Sequence, residues 1–459
     1  MKIVRFGTPA ATKAISELKR RLSVGAGAVT PAMRRKTVEV FGRALSPIES
    51  VRRIVADVRR DGDKAVFRYV RLLDGVRLGA ASVRVPQREI LAATKKVSAG
   101  FLRAARAAIA NVGRFQRHIL DREPKDLVSW GRRTGVRLVP IRRAGIHVPG
   151  FSAVLPSSAI MSIVPAQTAG VEEIAVCTPP RADGTVCPEI LACCALTGVK
   201  EVYRVGGAQA IAAMAFGTKS IPKVDIIVGP GNMFTTLAKK EVFGEVAVDL
   251  LAGPSEVLVL ADSSADPAVV ASDILGQAEH APAAAVLVTP SPKLATAVLA
   301  EVERQLAALP RRQRTAAVLE EYSLVVVTRT MDDAIAVTNG FAPEHLQITT
   351  RNDAAALAKI RSAGTVFVGR WTPIAAGDYY AGPSHTLPTG GTAAFASGLS
   401  AWTFLRRMSV VSYDERALAK DAPDIITLAE AEGLAAHAQS VRARFRLSLP
   451  LSLSGRGSG

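Results

Sequence analysis

The chain has 459 residues, 49% of them hydrophobic and 21% charged, so it is long enough for two or more cores and too apolar to stay disordered. No stretch offers the roughly 18 consecutive apolar residues of a spanning helix, and Met1-Lys2-Ile3-Val4-Arg5 leads into a charged helical stretch at Ile15 to Leu22; neither a membrane span nor a signal peptide is read, and a cytoplasmic location is expected. The net charge of +18 is lopsided, since residues 1–150 carry 33 Lys and Arg against 11 Asp and Glu, yet Arg52, Arg53, Arg59 and Arg60 alternate with Asp57, Asp61 and Asp63 without interleaved aromatics, which describes a solvated helix face better than a nucleic-acid site.

In chain order, residues 1–47 read as an N-terminal helix followed by a flexible insertion, because 23–46 are rich in Gly, Ala and Arg and carry a poor core pattern. The first ~125 residues read as helical overall. Ile48, Val51, Ile54, Val55, Val58, Val66, Phe67 and Val70 keep a helical period, broken at Asp61-Gly62-Asp63, where a cap is expected. From about residue 135 short apolar strands alternate with helices, the pattern of doubly wound parallel sheets. Strands are expected at 136–141, 173–178, 201–205, 225–228 and 257–261, then in a second series at 285–289, 324–328, 347–349 and 365–368. The fold class is therefore α/β, with two Rossmann-like doubly wound lobes, a helical N-terminal region and a small C-terminal helical arm. One lobe is assigned residues 48–146 and 257–398, the other 147–256, and the arm 399–446, with Glu430 to Arg444 as its clearest helix. Residues 447–459 read as a disordered tail. An arm with so little core of its own needs something to pack on, and a second subunit is the reasonable candidate.

Cys177, Cys187, Cys193 and Cys194 fit no C-x2-C zinc spacing, and the last three fall in an apolar helical stretch, so they are expected as buried thiols. Val205-Gly206-Gly207-Ala208-Gln209 and Val228-Gly229-Pro230-Gly231-Asn232 each follow a strand and open a helix, where free N–H groups favour phosphate. Neither is the G-x-G-x-x-G fingerprint, because Phe234 takes the third glycine position, so dinucleotide binding and ordinary tight turns both remain open.

Four of the six histidines lie in the second half, each in a short polar segment with a carboxylate or carboxamide: Gln277 to His280, Glu344-His345, Asp378 to His385, and Glu432 to His437. Imidazole with carboxylate is what borderline metal ions and proton transfers require near neutral pH. Gln277 and His280, three apart, share a helix face and can meet one ion; Glu432 and His437, five apart, diverge on an ideal helix.

Seven motifs in order carry a resemblance over Ile48 to Arg444: Val-Gly-Gly-Ala-Gln209, Gly-Pro-Gly-Asn232, Ala-Gly-Pro-Ser255-Glu-Val, Gln277-Ala-Glu-His280, Ala-Pro-Glu344-His345-Leu, Gly-Asp378-Tyr-x5-His385-x-Leu-Pro-Thr and Glu432-x4-His437. The chain resembles the histidinol dehydrogenase family. That resemblance implies a zinc-dependent homodimer that oxidises L-histidinol through the aldehyde to L-histidine, the final steps of histidine biosynthesis, with one NAD reduced at each oxidation. It implies one zinc per subunit on Gln277, His280, Asp378 and the partner's His437. It implies that His345 is the general base and that Glu344 activates water. Ser255, His385 and Glu432 would bind substrate together with the zinc ligands and His345, while Gln209 and Asn232 would contact NAD. Pro343 restrains the backbone just before the Glu344-His345 pair. His147 stands where the family usually has tyrosine, Phe151 replaces a glycine, and Ser384 stands where asparagine is common. No cofactor role is carried onto His147. One alternative is a same-fold zinc and NAD dehydrogenase of another polar alcohol, such as a sulfonated propanediol, although Glu432 would repel a sulfonate. Another is a non-enzymatic basic binding protein, which a steep salt dependence of DNA binding would reveal. No nucleic-acid or membrane partner is expected.

Overall fold

Runs of branched apolar residues long enough to be buried on both faces build two parallel sheets. A computed structural model describes residues 1–23, 30–120, 125–150, 154–280 and 282–445. Phe151 and the expected tail at 447–459 lie outside the described residues, as do positions 24–29 of the expected insertion. The chain divides into a large unit of residues 1–120 and 140–404 and a small one of 121–139 with 405–459.

In the large unit a six-stranded sheet runs in the order Lys2–Arg5, Ser323–Val327, Ala283–Thr289, Ser255–Ala261, His345–Thr349, Thr365–Val368. Its strands pair in parallel. The period of two decides what packs where. Val257, Val259 and Ala261 meet helices Pro267–Ala278 and Pro292–Leu306 on one face, while Leu258 and Leu260 meet Pro9–Leu22 and Met331–Phe341 on the other. From Ser255–Ala261 the chain adds strands to one side, then reverses to the other at His345–Thr349, so a topological switch lies between those two strands.

A five-stranded parallel sheet follows the order Glu201–Tyr203, Glu173–Cys177, Arg143–His147, Ile226–Val228, Ala247–Val248, with its own switch between Arg143–His147 and Ile226–Val228. The α/β class with two doubly wound lobes is as expected, but three assignments change. The helix Pro47–Asp61 buries Val51, Ile54, Val55 and Val58 in one core with Ile211, Met214 and Leu237, so residues from 48 onward in this helix belong with the 147–256 lobe. Lys2–Arg5, read as part of a helical region, is an edge strand of the other sheet; only Val4 is buried in it, too little alternation to be seen in sequence. The expected strand at 136–141 belongs to Arg132–Pro140, in a separate three-stranded sheet with Leu127–Ser129 and Leu405–Tyr413, and the parallel strand is Arg143–His147.

The expected flexible insertion also holds a helix, Pro31–Phe41. Thr30 caps it by accepting from Met33 N–H, Pro31 opens it, and Gly42 closes it in the left-handed region at φ 74°. The arm is not purely helical, since Leu405–Tyr413 is a strand. Its helix is split into Glu415–Ala431 and Ala435–Arg442, because Gly433 takes φ 74° and ends the first segment. The four cysteines are free and buried, as expected, and burial pushes the Cys193 thiol up to about 12.

Part of the basic N-terminal region has a structural use. The buried Asp57 carboxylate accepts from the Tyr69 hydroxyl at 2.7 Å and from Arg68, Arg60 and Arg53 at 2.6, 2.9 and 3.2 Å. Burial alone would raise its pKa, but these bonds outweigh it and hold the group below the ordinary value. Asp57→Ala is expected to cost about 1–3 kcal/mol in urea unfolding, chiefly by stranding the Tyr69 hydroxyl. A loss under about 0.5 kcal/mol, the range of an ordinary surface change, would show that the cluster does little.

Candidate functional site

The two strands flanking the switch of the six-stranded sheet open on Ser255 and His345, so both residues stand at the same, amino-terminal edge. Gln277 lies in the last turn of helix Pro267–Ala278, and His280 follows just beyond its end, where its N–H donates to the Gln277 carbonyl. Asp378 comes from the short helix Ile374–Tyr379. Gly377 lets that helix close on the sheet, since a Cβ there would come within 2.5 Å of the Phe367 ring. Ser255, Gln277, His280 and Asp378 line one cleft of ≈ 1370 Å³, which extends to Asn232. Gln277 Nε2 donates to Ser255 Oγ at 2.7 Å, which leaves the amide oxygen as the atom that side chain offers a cation. Among the described residues no three His, Cys, Asp or Glu side chains form a metal-holding group.

Glu344 and His345 form a buried pair behind Ser255 and Asp378, 6% and 4% exposed. Glu344 Oε2 accepts from Ser255 Oγ at 2.6 Å and from the Glu256 N–H at 2.8 Å. His345 Nδ1 lies 3.2 Å from the Glu256 carbonyl and 3.6 Å from Glu344 Oε2. Since a carbonyl only accepts, Nδ1 carries the proton and Nε2 is the ring's working atom. Nε2 sits 3.3 Å from Asp378 Oδ1 without a satisfied hydrogen bond. Burial opposes charging His345, but Glu344 and Asp378 outweigh it and carry the ring up to about 9; burial raises Glu344, against the pull of His345 and Ser255. His385 Nε2 lies 3.2 and 3.3 Å from the Ser157 and Ser158 hydroxyls at the start of helix Pro156–Thr168. Burial lowers its pKa, with Asp378 near enough to oppose the shift.

The glycine turns belong to the other sheet, at the carboxyl ends of its strands; the Gly229–Gly231 turn lies beside its switch, and the Gly206–Gly207 turn follows the edge strand Glu201–Tyr203. Asn232 caps helix Met233–Val242 by accepting from Phe234 and Thr235 N–H. Gly229 is required where it stands: φ is 107°, and a Cβ would lie 2.2 Å from the His147 carbonyl. Beneath this turn Lys239 Nζ donates to the Gly229 carbonyl at 2.5 Å and pairs with buried Asp249 at 2.7 Å, while Asp249 accepts the Gly229 N–H at 2.8 Å. Gln209 is buried in the first turn of helix Gly207–Phe216, with Nε2 3.4 Å from Asp74 Oδ2.

A family profile described as histidinol dehydrogenase matches residues 43–445. The chain is 48% identical over 434 residues to a histidinol dehydrogenase of Rhodopirellula baltica, covering 95% of this chain and 94% of that protein. It is 46% identical over 398 residues to that of Geobacillus kaustophilus, covering 85% and 92%. The chain belongs to the histidinol dehydrogenase family. The crystal structure of a histidinol dehydrogenase from Elizabethkingia anophelis superposes with a TM-score of 0.87 at 34% identity, over 97% of this chain and 98% of that one.

Of the residues that resemblance to histidinol dehydrogenases singles out, Ser255, Gln277, His280, Asp378 and Asn232 line the cleft, and Glu344, His345 and Ser255 are joined by the contacts above. Gln209 is held in the neighbouring glycine turn. Glu432 and His437 lie in the small unit, both exposed. Sequence reasoning missed Glu256, Asp74 and the Lys239–Asp249 pair. The acid inside the apolar strand Ser-Glu-Val-Leu-Val-Leu-Ala was the one available signal for Glu256.

His147 fastens one glycine turn to the other. Its Nε2 accepts from Gly207 N–H at 3.3 Å, so Nδ1 carries the proton and donates to the Pro230 carbonyl at 2.8 Å. Burial keeps this ring neutral down to about pH 4, whereas the unfolded chain takes up the proton near 6.5. The unfolded state therefore binds more protons across that window, and stability present above it is lost as pH falls toward 4, by up to about 3 kcal/mol. His147→Gln is expected to weaken less than the parent between pH 7 and pH 5 in urea unfolding. An unchanged pH slope would sink that assignment.

Proposed function

We propose that the chain oxidises L-histidinol through the aldehyde to L-histidine as a cytoplasmic homodimer using zinc and NAD. The observation that carries this reading is the buried Glu344–His345 pair, fixed by Ser255 and the Glu256 backbone and facing Asp378, which lines a cleft together with Ser255, Gln277 and His280.

One imidazole, one carboxylate and one carboxamide oxygen on a single cleft suit a borderline divalent cation such as zinc, and leave room for a further ligand. Gln277, His280 and Asp378 would hold the ion, with His437 of a second copy as the fourth donor; an exposed His437 on an arm fits that assignment. When bound, zinc would orient the substrate's amine and imidazole. When bound, NAD would supply the hydride acceptor. Its site would be the crevice at the switch of the five-stranded sheet, beside Gln209 and Asn232, where open parallel sheets bind nucleotides.

With Asp378 holding zinc, one of the two carboxylate charges that keep the His345 ring protonated would be offset, and Nε2 would then take the hydroxyl proton as the alcohol is oxidised. Glu344 then removes a proton from water so that it adds to the aldehyde, and the second oxidation follows from the hydrate. Burial of the pair excludes bulk water, and the bond from Nδ1 to the Glu256 carbonyl keeps the ring in the tautomer this requires. Ser255 and His385 would bind substrate, and Glu432, a further substrate contact by the family resemblance, carries a carboxylate that suits an ammonium group. The sulfonated-propanediol alternative finds no support among the relatives, and repulsion by Glu432 argues against it.

The test is the number of NADH formed per histidinol consumed by the zinc-loaded protein, with two expected. No NADH from histidinol, with NADH from another diol, would overturn the reading.

A further inference from the structure

Glu256 is the second residue of the strand opening on Ser255, and it is fully buried although it is an acid. Burying a carboxyl group is costly unless it is neutral or well partnered. Its partners are the backbone of the catalytic pair and of the loop beyond it. Glu256 Oε1 accepts from the Glu344 N–H at 3.2 Å and from the Gly390 N–H at 3.1 Å. In the other direction, its own N–H donates to Glu344 Oε2 at 2.8 Å, and its carbonyl takes His345 Nδ1 at 3.2 Å. Each glutamate thus accepts the other's backbone N–H across two parallel strands. The bond to Gly390 brings in the 385–391 loop, where Thr389 Oγ1 accepts the Gly253 N–H at 2.5 Å, two residues before Ser255.

Two carboxyl groups so placed do not both ionise readily, and the hydrogen bonds decide which one does. Glu344 Oε2 has a hydroxyl and an N–H pointed at it, with His345 Nδ1 3.6 Å away. Glu256 Oε2 is buried with no partner. A bare ionised oxygen is the costlier of the two, so the proton belongs on Glu256. Burial and the Glu344 charge push Glu256 up to about 8, in agreement.

We propose that Glu256 is a positioning residue that works as a neutral acid: its carboxyl holds the Glu344 backbone and keeps the pair's proton, leaving Glu344 ionised beside His345. The inference rests on the reading of Glu344 as the group that activates water. Glutamine has the same shape, can accept the same two N–H bonds and carries no charge; alanine frees the Glu344 N–H.

The experiment measures NADH formation from histidinol and, separately, from histidinal, using zinc-loaded wild type, Glu256→Gln and Glu256→Ala. Glu256→Gln is expected within about threefold of wild type on both substrates with an unchanged pH profile, and Glu256→Ala to lose about 10–100-fold in kcat on histidinal while its KM moves less than about threefold. A merely structural role would lower both oxidations together and leave glutamine no better than alanine. The proposal is overturned if glutamine falls as far as alanine, or if alanine changes neither oxidation. Infrared spectra of unliganded protein supply a readout that needs neither turnover nor the alanine variant. The difference spectrum of wild type minus Glu256→Gln is expected to show a carboxylic-acid C=O band, and its absence from that difference overturns the proposal. If wild type oxidises neither substrate, the functional reading fails, while the infrared comparison still locates the proton.

Discussion

Replacing His345 with asparagine is expected to lower kcat for histidinol by roughly 10²–10⁴-fold, the range a positioned general base contributes. The ring is 4% exposed and is held at Nδ1 by the Glu256 carbonyl, with Asp378 Oδ1 3.3 Å from Nε2. Asparagine keeps a donor for the Glu256 carbonyl but places no basic nitrogen at the Nε2 position. The loss should therefore fall on kcat rather than KM, and zinc measured by metal analysis should stay at one per chain. Retention of activity within about tenfold would place the base elsewhere, since that is below what general-base catalysis supplies. Loss of zinc with activity intact on reconstitution would instead make His345 a ligand.

Much of this site was legible in sequence because its residues occupy short polar segments at the ends of apolar runs. Pro343-Glu344-His345 precedes the buried strand Leu-Gln-Ile-Thr, and Ser255 opens another, so both segments could be placed at a strand edge before their contacts were known. Which edges meet is set by sheet order, and no spacing within the chain reveals that His345–Thr349 pairs with Ser255–Ala261. Glu256 escaped for that reason: its partners, Glu344 and Gly390, are 88 and 134 residues away. His147 escaped differently. Its role lies in two backbone groups, Gly207 N–H and the Pro230 carbonyl, which carry no residue identity to recognise. The domain boundaries were wrong where a long-range core overrode chain order, as when helix Pro47–Asp61 packed with residues 208–246. Leu405–Tyr413 was missed because all nine of its residues are exposed or half-buried, giving no buried alternation to read.

Mixing two inactive variants is expected to restore activity if the fourth zinc ligand crosses between subunits. His437→Ala alone should lose zinc and turnover, because a site left with Gln277, His280 and Asp378 is one protein ligand short of a closed tetrahedral set. His345→Asn should keep zinc and lose turnover. In a hybrid dimer of the two, the subunit carrying His437→Ala retains its own His345 and receives an intact His437 from its partner, so one of the two sites is complete. The other site lacks both residues. Random pairing of equal amounts makes half the dimers hybrid, so roughly a quarter of wild-type activity should return after joint refolding. If His437 served the site of its own chain, every site in the hybrid would carry one lesion and no activity would return. The exposed position of His437, in an arm with few buried residues of its own, favours the crossed arrangement. A crossed ligand would couple metal binding to association: diluting the dimer should then release zinc, and zinc should strengthen the dimer by the same free energy.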